Sequence, residues 1–152
     1  MNEDVATPRR FARQLHELMG LVNHAAGAGT LERMVAHQLT LPQMVALHVL
    51  RYSGPLSTLR LMDHLHLSAS ATSSLVDKLV EHGWVARREN VEDRRQRTLM
   101  VTEAALAMLD EMAEARAREF ETAFSRVEPE LQARLAEVFD EVIAQMRRGG
   151  AA

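Results

Sequence analysis

The 152-residue chain contains no cysteine, which excludes disulfide frameworks, thiolate-bound metals and thiol redox sensing. Aromatic residues make up only 4% of it. Long apolar runs are missing too, since none approaches the roughly 20 residues that span a bilayer. Residues 1–10 are polar and charged and lack the apolar region of a secretion signal. A cytoplasmic protein with no membrane partner is therefore expected. There is no surplus of positive charge: the net charge of −3 argues against a protein that coats nucleic acid indiscriminately.

What is plentiful is Leu, Ala, Met, Glu and Arg, the composition of good helix formers. With 47% hydrophobic and 26% charged residues the chain is too apolar for disorder. Its length fits one domain that buries roughly 68 to 70% of the unfolded surface, leaving no room for a separate catalytic domain. Charge is unevenly spread. Residues 51–100 hold eight Arg or Lys against six Asp or Glu, whereas residues 101–152 hold six against eleven. Positive charge collects in the middle and acid in the last third.

Periodicity and caps divide the chain into six main helices and a hairpin. Phe11, Leu15, Leu18 and Val22 form one apolar stripe on a helix from about residue 8 to 26. Residues 27–30 break it before Leu31, Met34 and Val35 resume a short helical turn. Thr40 and Gln43 read as a capping box that opens a second helix, ended by Ser53, Gly54 and Pro55. Ser57 caps a short third helix that turns Leu59, Met62 and Leu65 inward. Ser68 caps a fourth, which leaves through Gly83. Residues 84–89 and 97–101 are β-compatible runs flanking a very polar tip, a hairpin pattern. Thr102 caps a long fifth helix carrying Leu106, Leu109, Ala113, Phe120, Phe124 and Val127. Pro129 opens the last, in which Leu131, Leu135, Val138, Val142 and Met146 approach the spacing of a coiled-coil seam.

Helix, tight turn, helix and charged hairpin in direct succession is the order of a winged helix-turn-helix, whose second helix enters the major groove. At 100° per residue, Thr72, Leu75, Val76 and Leu79 share one face of that helix. Ser70, Ser73, Ser74, Asp77 and Lys78 share the opposite one. Small hydroxyls suit base reading, because they donate and accept and allow close backbone approach. A merely solvated face would favour Glu, Lys and Arg over serines of poor helix propensity. The tip Glu92, Asp93, Arg94, Arg95, Gln96 and Arg97 offers guanidinium groups on a narrow protrusion, either for phosphates and a narrow minor groove or as a solubilising turn.

Leu41-Pro42-Gln43, Leu67-Ser68 through Leu75-Val76-Asp77-Lys78-Leu79, Gly83-Trp84-Val85, and Asp93-Arg94-Arg95 followed by Leu99 and Val101-Thr102-Glu103 together resemble the MarR family over nearly the whole chain. The resemblance implies a mainly α fold with a small β-hairpin wing, organised as a single domain. Residues 40–102 would form the winged DNA-binding lobe, and residues 8–37 and 103–148 the dimerisation helices. It implies a homodimer on a pseudo-palindromic double-stranded DNA operator, usually a repressor that a small molecule releases. Ser68 would cap the recognition helix, with Ser70, Ala71, Ser73, Ser74 and Lys78 near DNA. Asp93 would orient Arg95 for the minor groove, and Arg87, Arg88, Arg94 and Arg97 would meet phosphates. The family often has Arg where this chain has Ser74 and Thr where it has Ala71, so base reading by long side chains is weaker here.

The same resemblance puts an effector pocket beside the dimer helices, with His16, Met19, Met44, His48, Arg51, Met108 and Met112 as its residues. Met adapts to shape, and His or Arg would hold an anionic or phenolic effector. The core-filling role is the plain alternative. Dimerisation has a basis beyond resemblance: the stripes Phe11, Leu15, Leu18, Val22 and Leu131, Leu135, Val138, Val142, Met146 would leave apolar surface wet in a monomer. Other readings are a zinc-responsive regulator using Asp63, His64, His66, Glu81 and His82, and a winged module that docks protein. Ser68 with His64 and Asp63 lacks a nucleophile elbow, so no enzyme and no cofactor are expected.

Overall fold

The computed structural model describes residues 8–26, 29–89 and 97–149. In chain order these form α1 (Pro8–Ala26), α2 (Gly29–Ala36), α3 (Leu41–Ser53), β1 (Leu56–Ser57), α4 (Thr58–Leu65) and α5 (Ala69–Glu81). Strands β2 (Val85–Glu89) and β3 (Arg97–Val101) follow, then α6 (Glu103–Phe124) and α7 (Pro129–Gly149). The mainly helical architecture with a small antiparallel hairpin is the one expected. One strand was not anticipated: β1 pairs with β3, setting Leu56 opposite Leu99, and the sheet order becomes β1-β3-β2.

The chain divides into two compact units, one being Gly29–Arg116 and the other joining the N-terminal segment to the chain from Ala117 onward. The core of the first is built by Leu47 and Leu50 of α3, Leu61 of α4, Val76 and Leu79 of α5, Leu99 of β3 and Leu109 of α6, all fully buried. Here the expected inward stripe of α4 is corrected. Leu61 is buried while Leu59 is 63% exposed. Steps of three drift 60° per turn in a helix of 3.6 residues, so Leu61, Met62 and Leu65 hold the core side and Leu59 swings off it. In α6 the buried line runs Ala105, Met108, Leu109, Met112 and Ala115, with Ala113 exposed. Val127 lies beyond the end of that helix.

In the other unit the two expected stripes differ. Val22 is only 1% exposed and Leu18 half-buried, whereas Phe11 and Leu15 are exposed. Helix α7 has no buried residue at all. Its Leu131, Val138 and Met146 are exposed, and Leu135 and Val142 half-buried.

Candidate nucleic-acid interface

The turn between α4 and α5 is three residues long because His66 takes a left-handed conformation, φ 52° and ψ 38°. That backbone lets both His66 and Leu67 donate to the carbonyl of Met62. It closes α4 as glycine more often does. Ser68 then caps α5: its Oγ accepts from the Ala71 N–H at 3.2 Å. The Thr72 hydroxyl, fully buried, donates to the Ser68 carbonyl at 3.0 Å and so carries no unmet polar group into the core.

The two faces of α5 fall as their spacing predicts. Thr72, Leu75, Val76 and Leu79 are buried, and Ser70, Ala71, Ser73, Ser74, Asp77 and Lys78 are exposed. Gly83, with φ at +72°, makes the exit that sends the chain into the wing. Trp84 closes the turn by donating its N–H to the Leu79 carbonyl at 2.9 Å. Thr102 locks the wing base to α6, because its hydroxyl donates to the Gly83 carbonyl at 2.7 Å and accepts from the Ala105 N–H at 3.2 Å. The serine face and the hairpin are thus held by one continuous set of backbone contacts.

Among the wing cations, Arg87 is engaged: its Nη2 donates to Asp77 Oδ1 at 2.5 Å, tying β2 to the exposed face of α5. Arg88 is exposed. Asp93, Arg94 and Arg95 lie outside the described residues, as does the side chain of Arg97, whose backbone pairs opposite Glu89. The Arg87 pair could not be read from spacing, since the two residues stand ten apart on different elements.

The residues expected around an effector separate by environment. Met44, Met108 and Met112 are packed in the lobe core. Arg51 pairs with Asp110 at 2.6 Å. His48 stacks on Tyr52 with ring centroids 6.2 Å apart. Loss of solvation, and secondly the Arg51 charge, hold the His48 pKa below its usual 6.5. His16 is exposed and Met19 half-buried on α1. Asp63, His64, His66, Glu81 and His82 do not gather, and among the described residues no three His, Cys, Asp or Glu side chains are placed to hold a metal. Among those residues no helix is long and apolar enough to cross a membrane.

The sequence profile of the MarR family matches residues 39–96, from the entry to α3 through the hairpin tip. The HTH-type transcriptional regulator YfiV of Bacillus subtilis is 30% identical over 105 residues, which take in 69% of this chain. The chain spans 64% of the length of that relative. In structure the chain is similar to the transcriptional regulator Tm0710 from Thermotoga maritima, with a TM-score of 0.76 at 22% identity, over 95% of this chain and 99% of that one. It is also similar to a MarR family protein from Bacillus stearothermophilus, with a TM-score of 0.66 at 23% identity, over 93% and 99%. At these identities the structural likeness speaks for the fold. The relatives are regulators rather than enzymes. The MarR family profile is thus seated on the helix pair and wing, and the chain shares its fold with a MarR family protein over more than nine-tenths of its length.

Proposed function

We propose that the protein is a transcriptional regulator that binds double-stranded DNA in a sequence-specific manner, as a homodimer on a pseudo-palindromic operator. Helix α5 enters the major groove, Arg95 reaches the adjacent minor groove, and Arg94 meets a phosphate. The observation that carries this reading is the exposed face of α5, where Ser70, Ser73, Ser74 and Lys78 stand opposite a fully packed one. Short hydroxyl side chains let a helix backbone approach base edges and phosphates closely. The names of the relatives, transcriptional regulators of the HTH type, point the same way.

Dimerisation is supported by the apolar residues left exposed on α1 and α7, among them Phe11, Val138, Ile143 and Met146. A cleft of about 540 Å³ in the same unit, lined by Leu18, Leu21, Val22 and Phe124, adds unpartnered apolar surface. Two-fold burial of such surface is the common solution. Release of a repressed operator by a small anionic or phenolic molecule completes the reading.

Selection of bound duplexes from a random pool, followed by a screen for compounds that release the enriched duplex, tests all of it. An enriched palindrome with half-sites about one helical turn apart is expected. Failure to enrich any duplex, with binding that does not fall as salt rises, would favour a protein-docking module instead.

A further inference from the structure

A notch of about 200 Å³ opens between the start of α3 and the edge of α5, lined by Thr40, Gln43, Ala71, Ser74, Leu75 and Lys78. We propose that this notch seats one backbone phosphate of the bound duplex, with the Gln43 side-chain amide as a donor to it. The inference rests on the DNA-binding reading and adds to it a residue that reading does not use.

Gln43 is only 6% exposed. Its Oε1 accepts from the Thr40 N–H at 2.8 Å and from the Thr40 hydroxyl at 3.0 Å. A backbone N–H can only donate, so the atom facing it is the oxygen, and the other end of the amide is the NH2 group. That Nε2 has no hydrogen-bond partner among the described residues. The nitrogen is not among the buried atoms left without a partner, so it meets solvent at the open notch that the side chain lines, where an incoming acceptor can reach it.

The surroundings favour an anion. The positive end of the α3 dipole lies at the same place, and Lys78 and Ser74 border the notch with an ammonium and a hydroxyl. No carboxylate lines it, and Asp77, the nearest in sequence, is committed to Arg87. The volume is several times the roughly 30 Å³ that one water occupies, enough for a phosphate group. Ala71, Ser74 and Lys78 recur at helical spacing along one edge of the exposed face of α5. With that helix in the major groove, this edge runs beside a sugar-phosphate strand rather than over base edges.

Gln43→Glu tests the seat. The substitution keeps an oxygen for the Thr40 N–H and replaces the donor with a negative charge. Titrations by fluorescence anisotropy use the wild type and the variant, each with the selected duplex, a scrambled duplex, and the selected duplex in competing inorganic phosphate. Affinity is expected to fall about ten- to hundredfold on both duplexes, leaving their ratio unchanged, because a phosphate contact carries no sequence information. Lys78→Gln, on an exposed residue that the core does not need, should weaken both duplexes and reduce the salt slope by about 1 per subunit. Thermal melting of each variant checks that the lobe is folded. Unchanged affinity of a folded Gln43→Glu variant, or loss on the selected duplex alone, overturns the seat while leaving the regulator standing. If millimolar phosphate displaces no duplex at constant ionic strength yet the variants weaken binding, the seat is specific to the DNA backbone. A wild-type protein that binds no duplex removes the regulator reading and the seat together.

Discussion

The Arg87–Asp77 pair places a carboxylate on the face of α5 that is read as meeting DNA, and it internally neutralises a wing cation. Asp77→Asn removes the charge with almost no change of shape. Both side chains are substantially exposed, Asp77 at 59% and Arg87 at 31%. Solvent screening at such exposure limits the pair to about 0 to 1 kcal/mol of folding stability, so the lobe should melt nearly as before. Binding to DNA should change more. Freed from its carboxylate, Arg87 becomes one further phosphate contact per subunit, steepening the salt dependence by about 0.9 each. For two subunits on one duplex, the fourfold step from 50 to 200 mM salt then costs the variant about 12-fold more affinity than it costs the wild type, so the variant's advantage is greatest at low salt. Anisotropy titrations across a salt series measure the slope directly. A weaker complex with a shallower slope would refute the reasoning, because it would mean that Asp77 holds Arg87 in its binding posture.

Leu79→Ala, at a fully buried position of α5, should destabilise the lobe by about 2 to 5 kcal/mol in denaturant melts. A loss under 1 kcal/mol would contradict the packed face. The lowered His48 pKa means that the folded state disfavours its charged form, so the associated stability is present above the ordinary value of 6.5 and declines as pH falls through the lower folded value. His48→Gln should flatten the stability profile in that acidic window, as thermal melts between pH 7 and 5 would reveal. Val138→Glu, on the exposed stripe of α7, should shift the protein toward monomer in sedimentation experiments. A wild type already monomeric at micromolar concentration would end the dimer reading.

Much of the local structure was legible because it depends on residues close in sequence. Ser57 and Ser68 cap the helices that follow them, Gly83 supplies the positive φ that ends α5, and a 100° rotation per residue separates Thr72, Leu75, Val76 and Leu79 from the serines. The α4 stripe read at a spacing of three failed at Leu59, and in the long α6 Ala113, four residues after the buried Leu109, is exposed.

Whatever depends on elements far apart was decided by the tertiary structure. Strand β1 is two residues long and has no period of its own; it exists only because Leu99 and Thr98 offer a ladder. The commitment of Arg87 to Asp77, and of Arg51 to Asp110, followed from helices and strands meeting at positions that no local rule encodes. Gln43 was recognised as half of a capping box, yet its unfilled donor borders a notch made jointly with α5. Caps and faces follow from nearest-neighbour geometry, which the order of residues contains. Partnerships across the fold follow from packing, which it specifies only through the whole three-dimensional arrangement.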